Sequence, residues 1–284
     1  MTLLVDAGNS AIKWAQMAAD GQLHKPQRQL HRGIVGIAAQ LADQWRNTVA
    51  RGSSVVGCNV ASAEVIAAVE EAARMLQLQP VRWVRSQRRF DGAIALTNGY
   101  RDPAQLGADR WHCLLGACWA MNVRGAPRSF VVVNAGTATT VDCVEVEEGD
   151  AVTPKFAGKF IGGVIAPGVR LMLESLTQRT AGLPPVDVDH SAKVVEFPDN
   201  TDAAIVTGVL DAQAGLVYRI WHRFAVHMIV EPALVLTGGN AELLSTRLLM
   251  RADIEHNLVL RGLALRAQSD TKEHETGVSD TGAA

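Results

Sequence analysis

Near its amino terminus the chain reads Leu3-Leu4-Val5-Asp6-Ala7-Gly8-Asn9-Ser10-Ala11-Ile12-Lys13-Trp14. The apolar run before Asp6 is typical of a buried strand, and small polar residues interrupt it before an apolar alternation resumes at Ile12. Gly8 and Asn9 are common turn residues because both tolerate backbone angles that other residues avoid. This stretch therefore predicts a β-hairpin whose turn carries Asp6 at its entrance and Lys13 at its exit.

The same pattern recurs at Val133-Asn134-Ala135-Gly136-Thr137-Ala138, after the apolar run 130–133. Between the two turns, strand-like and helix-like periodicities alternate, which favours an α/β architecture. We therefore predict two similar lobes, each opening with a strand and a glycine-containing turn, with a nucleotide held in the cleft between them. The interruption at 124–128 places the boundary, giving lobes at 1–125 and 126–267 and a disordered polar tail at 268–284.

Further elements are expected downstream. Residues 161–168 are interpreted as a glycine-rich loop leading into a helix, because Pro167 suits a first helical turn. A long helix is expected over 203–224. A strand at 233–236 should end at Thr237-Gly238-Gly239-Asn240 and precede a helix over 241–250.

Composition limits the partners. The 284 residues carry 27 Lys and Arg against 29 Asp and Glu, so no global field attracts nucleic acid or anionic lipid. No apolar stretch approaches the length of a membrane span, and the amino terminus lacks the features of a secretion signal. The four cysteines form no CxxC pair and the eight histidines show no ligand spacing. We expect a cytoplasmic protein without disulfides or a histidine metal site.

Phosphoryl transfer requires backbone donors for phosphates, a magnesium ligand and a carboxylate that orients the attacking hydroxyl. The first turn supplies N–H groups, Asp6 can hold Mg²⁺ directly or through water, and Lys13 adds a positive charge. A plain hairpin capped by Asp6 and Asn9 is the alternative. Likewise, Asp109 and Arg110 could serve chemistry or could be ordinary first-turn helix residues, and Tyr100 could be a half-buried core aromatic.

The motifs taken together resemble type III pantothenate kinase. Six strings occur in the family's order: Asp-x-Gly-Asn-Ser-x-x-Lys at 6–13, Tyr-x-x-Pro-x-x-Leu-Gly-x-Asp-Arg at 100–110, Gly-Thr-Ala-x-Thr-x-Asp at 136–142, Gly-Gly-x-Ile-x-Pro-Gly at 162–168, Thr-Ala-x-Leu-Pro at 180–184 and Asn-Thr at 200–201. Each string alone is weak evidence, but their common order makes coincidence a poor explanation.

The resemblance implies two ribonuclease-H-like lobes of the actin-like superfamily of acetate and sugar kinases, and ATP-dependent phosphorylation of pantothenate to 4'-phosphopantothenate, the first step of coenzyme A biosynthesis. It implies Asp109 as the catalytic base and a homodimer in which Thr201 reaches the partner's substrate. The implied ATP-binding residues are Asp6, Ala7, Gly8, Asn9, Ser10, Ala11, Ile12, Lys13 and Thr137. The implied pantothenate-binding residues are Tyr100, Gly107, Ala108, Asp109, Arg110 and Thr201.

One position departs from the family pattern. Asn134 stands where the family usually places an Asp that coordinates K⁺ or NH₄⁺, and a neutral amide oxygen is the weaker ligand for a hard cation. We therefore expect a weaker monovalent cation requirement. Two other functions remain open at this point: a non-catalytic regulator built on the kinase scaffold, and a phosphohydrolase of the same superfamily.

Overall fold

A computed structural model describes residues 1–31, 34–125, 128–146, 156–179, 183, 185–186 and 195–276, with side chains as far as 270. The chain divides into two compact units. Unit 1 comprises Met1–Pro127, Glu147–Lys159 and Asn257–Ala284, and unit 2 comprises Arg128–Val146 and Phe160–His256. The division differs from the predicted lobes in two respects, because both Glu147–Lys159 and the segment from Asn257 onward group with unit 1.

The elements in chain order are β1 (Thr2–Ala7), β2 (Ala11–Met17), β3 (Leu23–Leu30), α1 (Ile37–Arg46), β4 (Ser54–Asn59), α2 (Ala63–Met75), β5 (Val81–Trp83), β6 (Arg89–Asp91), β7 (Ala95–Asn98), α3 (Ala108–Val123), β8 (Phe130–Ala135), β9 (Ala138–Val146), β10 (Ala157–Pro167), α4 (Val169–Arg179), α5 (Thr201–Met228), β11 (Ala233–Thr237), α6 (Ala241–Ser245), β12 (Asp253–Ile254) and α7 (Leu258–Thr276).

The main sheet of unit 1 has the strand order β3-β2-β1-β4-β5. Strands β1 and β2 pair antiparallel with Asp6 opposite Lys13, which confirms the predicted hairpin. On its other side β1 pairs in parallel with β4, so Asp6 lies beside Cys58. The carboxyl ends of β1 and β4 consequently meet at one edge, where side chains that follow the strands come together.

Unit 2 repeats this arrangement. Its central strand β8 pairs antiparallel with β9 and parallel with β11, and the order runs β10-β9-β8-β11-β12. Each strand therefore has a counterpart at the same sheet position in unit 1. This shared topology confirms the duplication that the two turns predicted.

Each unit buries its own apolar core. In unit 1, α1 and α2 cover the sheet, and Trp14 and Trp45 meet edge to face with ring centroids 6.1 Å apart. In unit 2, apolar residues of β8, β9 and β11 pack against α5 and α6. Burial of these apolar faces supplies the main stabilisation of each unit.

Two glycines allow a close crossing of α3 and α7 in unit 1. A Cβ on Gly116 would collide with the carbonyl oxygen of Leu258, and a Cβ on Gly262 would collide with that of His112. The two backbones are therefore nearly in contact at this crossing, which only glycine permits. Helix α3 is important because it begins with the Asp109-Arg110 pair.

Three sequence predictions require correction. The helix expected over 241–250 is short and ends at Ser245. Residues 161–167 are not a loop but the second half of strand β10, and the helix after them begins at Val169. The predicted disordered tail is helical as far as Thr276, the end of α7, while residues 277–284 lie outside the described part of the chain. An ion pair between Arg266 and Asp270, with a nitrogen-oxygen distance of 3.1 Å, supports that last part of the helix.

Among the described residues, one helix is long and apolar enough to cross a membrane by length and composition. This helix is α5, and half of its most apolar window is buried inside the structure. The core helix of a folded protein passes the same test, so α5 gives only weak evidence for a membrane span.

Candidate active site

The first turn joins β1 to β2 and carries two opposite charges. The N–H of Gly8 donates to the carbonyl oxygen of Ala11 at 3.1 Å, which closes the turn. Lys13 Nζ lies 3.7 Å from Asp6 Oδ2, and the Lys13 side chain is about one third exposed whereas that of Asp6 is almost fully buried. The turn thus presents a cation to solvent beside a sheltered carboxylate.

Burial sets the electrostatics of Asp6. It raises the pKa of this carboxyl above its ordinary value, Lys13 opposes that shift, and the negative charge of Asp109 adds to it. A bound cation would supply charge that Lys13 alone does not. The environment of Asp6 therefore fits a magnesium ligand that acts together with substrate phosphates.

A buried thiol contacts the same carboxylate. Cys58 Sγ lies 3.7 Å from Asp6 Oδ1 and donates to it. Burial, followed by the nearby charges of Asp6 and Asp109, raises the pKa of Cys58 well above its ordinary value, so the thiol stays protonated and remains a donor. Sequence analysis missed this contact because 52 positions separate the two residues.

His31 holds the turn from the side. Its Nε2 lies 2.8 Å from the carbonyl oxygen of Gly8, and its backbone N–H donates to the carbonyl oxygen of Ser10 at 3.3 Å. A carbonyl oxygen can only accept, so Nε2 carries a proton and donates. Two contacts from one residue thus fix the backbone between Gly8 and Ser10.

Asp109 lies in the first turn of α3. Its Oδ1 accepts the N–H of Arg110 at 2.7 Å. Gly107 precedes the helix with φ −55° and ψ 139°, and a Cβ there would lie 2.7 Å from Asp109 Oδ1. The absence of a side chain at Gly107 therefore leaves room for the carboxylate in its observed position.

Arg110 and Tyr100 form a pair. Arg110 Nη1 donates to the Tyr100 hydroxyl at 3.2 Å, and its guanidinium carbon lies 5.8 Å from the centre of the Tyr100 ring. Arg110 is buried, with 5% of its surface exposed. A guanidinium held in this way is a suitable partner for a substrate carboxylate.

The sheet edge brings these groups together within unit 1. The N–H of Val60 donates to the carbonyl oxygen of Ala7 at 3.0 Å, and Val60 Cγ1 would lie 3.9 Å from a Cβ on Gly107. The turn of Asp6 and the start of α3 are therefore neighbours, consistent with the influence of Asp109 on the pKa of Asp6. The arrangement offers a cation, two carboxylates and a buried guanidinium.

The second turn, in unit 2, has its own support. The N–H of Gly136 donates to the carbonyl oxygen of Ala138 at 3.2 Å. The N–H of Gly168 donates to the carbonyl oxygen of Thr137 at 3.0 Å. A Cβ on Gly168 would collide with the carbonyl oxygen of Gly136. The last glycine of the motif at 162–168 is therefore packed directly against the turn that contains Thr137.

Asn134 ends up at the end of β8, next to this turn. Its Oδ1 would lie 3.6 Å from a Cβ on Gly136. The neighbouring carboxylate, Asp142 of β9, is 2% exposed, and a Cβ on Gly163 would collide with its Oδ1. Asn134, the expected ligand of a monovalent cation, thus offers only a neutral oxygen. The nearby carboxylate of Asp142 is buried against the backbone of β10.

Thr201 is the first residue of α5 and is exposed. Asn200 caps the helix, since its Oδ1 accepts the N–H of Ala203 at 2.9 Å. The motif at 180–184 falls largely outside the described residues, which include only Leu183 of that string. Within the described part of the chain, no group of three or more His, Cys, Asp or Glu residues could hold a metal ion.

Comparison with known proteins identifies the family. A family model described as type III pantothenate kinase matches residues 2–223. A type III pantothenate kinase of Cupriavidus taiwanensis is 38% identical over 94% of this chain and 98% of its own length. Another, from Azoarcus sp. strain BH72, is 39% identical over 98% of this chain and 96% of its own length.

Solved structures agree on the fold. A protein described as a 2-dehydro-3-deoxygalactonokinase from Sinorhizobium meliloti is similar with a TM-score of 0.53, 13% identity and coverage of 96% of this chain and 99% of its own. A protein described as a Baf family transcriptional activator from Campylobacter jejuni is similar with a TM-score of 0.50 and 17% identity. The match covers 96% of this chain and 99% of that protein. At such identities the likeness concerns the fold alone, the two-lobed fold of the actin-like kinases. From the family match over most of its length, the chain belongs to the type III pantothenate kinase family.

Proposed function

We propose that this protein uses ATP to phosphorylate pantothenate, yielding 4'-phosphopantothenate for coenzyme A synthesis in the cytoplasm. The observation that carries the proposal is the grouping within unit 1 of the Asp6-Lys13 pair, Asp109 and the Arg110-Tyr100 pair. A family match over residues 2–223 supports the same activity. Neither the regulator nor the phosphohydrolase accounts for a buried guanidinium paired with a tyrosine beside two carboxylates.

ATP is assigned to the two turns. In unit 1 the residues are Asp6, Ala7, Gly8, Asn9, Ser10, Ala11, Ile12 and Lys13, and in unit 2 the residue is Thr137. Backbone N–H groups of such turns suit phosphate oxygens, and Lys13 supplies a mobile positive charge. Mg²⁺, held through Asp6, would neutralise charge on the phosphates during transfer.

Pantothenate is assigned to Tyr100, the segment Gly107–Arg110 and Thr201. Arg110 binds the substrate carboxylate, since its guanidinium is buried and already oriented by the Tyr100 hydroxyl. Asp109 accepts the proton of the attacking hydroxyl. Its position in the first turn of α3 leaves one carboxylate oxygen, Oδ2, for this role, while Oδ1 is held by the N–H of Arg110.

The protein is further proposed to act as a homodimer in which Thr201 of one copy completes the other copy's pantothenate site. Exposure of Thr201 at the start of α5 is compatible with such a role. Light scattering on the active protein tests the assembly, because a fully active monomer would exclude a substrate contact from the partner.

The experiment for the catalytic assignment compares Asp109→Asn with Asp102→Asn. Asp102 is a nearby exposed carboxylate that accepts the N–H of Ala104 at 3.0 Å and therefore has only a local structural role. General-base catalysis typically contributes about 10²–10⁴-fold, or roughly 3–5 kcal/mol, so kcat of the Asp109 variant should fall by that factor.

The Asp102 variant should keep its kcat. A first-turn carboxylate without a catalytic role contributes about 1 kcal/mol or less to stability. Near-normal turnover of Asp109→Asn, with only a lower unfolding midpoint, would therefore remove the base from this mechanism.

A further inference from the structure

One side chain makes three of the hydrogen bonds that hold the segment carrying Tyr100. Arg88, which precedes β6, donates from Nη1 to the carbonyl oxygens of Asn98 at 3.0 Å and Tyr100 at 2.6 Å, and from Nη2 to that of Arg101 at 2.7 Å. Three carbonyl groups, at the end of β7 and just after it, thus converge on one guanidinium. Asn98 is the last residue of β7, and residues 99–101 lie in neither helix nor strand, so no regular backbone ladder fixes these three.

The start of the segment is anchored on both sides. The N–H of Asn98 donates to the backbone carbonyl oxygen of Arg88 at 2.9 Å, and the Asn98 side chain accepts the N–H of Tyr100 at 3.1 Å. Ser86 Oγ lies 2.8 Å and 2.7 Å from the carbonyl oxygens of Pro103 and Leu106. The connection between β5 and β6, which supplies Ser86 and Arg88, therefore runs beside the segment from the end of β7 to the start of α3.

A guanidinium suits this task better than an ammonium group. Its five donors lie in one plane at fixed angles, so it can serve several acceptors that are spread over one face of a loop. A lysine at the same place would offer one charged nitrogen and could not reach the carbonyl oxygens of Asn98 and Arg101 together. Arg88 is exposed, so its replacement leaves no buried hole in the core.

We propose that Arg88 is a positioning residue for pantothenate: it fixes the backbone of Asn98 to Arg101, and so places the Tyr100 hydroxyl where it orients Arg110. The proposal rests on the assignment of Tyr100 and Arg110 to the substrate. Arg88 itself touches the backbone of the loop and acts on the substrate through Tyr100. Its loss should therefore affect pantothenate and leave ATP binding unchanged.

The test compares Arg88→Lys and Arg88→Ala with Arg89→Ala, the matched control. Arg89 is the adjacent arginine, also exposed, and its guanidinium lies near Asp91 and Thr97 on the β6-β7 hairpin. Loss of a well-placed hydrogen bond to a charged group typically weakens binding about 10- to 100-fold, so KM for pantothenate should rise by about that factor in Arg88→Ala. Arg88→Lys should give a smaller rise, and KM for ATP should stay within about twofold in all three.

A second measurement separates positioning from general loss of stability. Added guanidinium ion at millimolar concentration should partly restore KM for pantothenate in Arg88→Ala, since it can occupy the vacated place, and should not help the Arg89 variant. The unfolding midpoints of Arg88→Lys and Arg89→Ala should match that of the parent protein.

Two outcomes distinguish the possible failures. Unchanged KM for pantothenate in both Arg88 variants, with Tyr100→Phe and Arg110→Gln raising it, would overturn the role of Arg88 alone. Unchanged KM in the Tyr100 and Arg110 variants would overturn the pantothenate site itself. Equal rises in KM for ATP and pantothenate would show general disorder of unit 1 and would also overturn the proposal.

Discussion

Replacing Gly107 with Ala would displace the proposed base without altering its chemistry. The new Cβ would lie 2.7 Å from Asp109 Oδ1, whereas ordinary van der Waals contact begins at 3.4 Å. The carboxylate must therefore move by about 0.7 Å or rotate away. The backbone at Gly107, with φ −55° and ψ 139°, is a conformation that alanine adopts readily, so the loop itself should be unchanged.

The expected result is a selective loss of turnover. Misplacement by about 1 Å can reduce rates 10²-fold, so a shift of this size predicts a fall in kcat of about 10- to 100-fold. Stability should be nearly unaffected, because the displaced atoms belong to the free end of one side chain. Gly215→Ala in α5 is the control, since a Cβ there has nothing within 4 Å.

The assay is steady-state release of ADP with varied pantothenate at saturating ATP, together with the unfolding midpoint of each protein. A Gly107→Ala variant with wild-type kcat would refute the reasoning, because it would show that the observed position of Asp109 does not matter for transfer. A large fall in the unfolding midpoint would equally refute it, by showing that Gly107 is required for folding instead.

Three more predictions concern single positions. Asp6→Asn should abolish activity yet unfold at or above the wild-type midpoint at pH 7.5. The pKa of Asp6 is raised in the fold above its ordinary 3.8, so the ionised group destabilises the fold at neutral pH, and the unfolding midpoints of the two proteins should approach each other as pH falls toward that raised pKa. Initial rates across a K⁺ titration should show weak activation in the parent protein and stronger activation in Asn134→Asp, whereas saturable activation of the parent from near-zero activity would contradict the interpretation of Asn134. Burial lowers the pKa of His112 from 6.5 to about 4, so the neutral ring stabilises the fold above pH 6.5, and this contribution, about 3 kcal/mol, disappears as pH falls to 4. The unfolding midpoint of His112→Gln should lack that decline. Parallel pH profiles of the variant and the parent protein would exclude His112 as its source.

Local turn chemistry made the centre of both sheets predictable. The turns at 6–13 and 134–138 combine glycine with amide or hydroxyl residues between apolar runs, and both form antiparallel hairpins in the structure. Strand β10 was mistaken for a loop because Gly162 and Gly163 lower strand propensity, although β9 supplies a pairing partner that the local sequence does not reveal. Pairing between distant segments therefore overrode local preference.

The support of the candidate site depends on contacts between distant positions. The thiol of Cys58, the ring of His31 and the guanidinium of Arg88 each contact a site segment from another strand or loop. Sequence periodicity indicates which residues are buried, but it does not indicate which buried or exposed group will meet a given turn. Motif residues could therefore be assigned from sequence, while the residues that hold them in place required the structure.

The glycine-mediated crossing of α3 and α7 has a consequence for the order of folding. Both segments of unit 2, Arg128–Val146 and Phe160–His256, lie between α3 and α7 in the sequence. The ribosome therefore synthesises all of unit 2 after α3 and before α7. The helix that bears Asp109 therefore lacks α7 while an entire second unit is synthesised, and the contact between α3 and α7 joins segments that are far apart in the sequence. Nascent chains that end before Asn257 should consequently contain a folded unit 2 while Gly116 still lacks its neighbour.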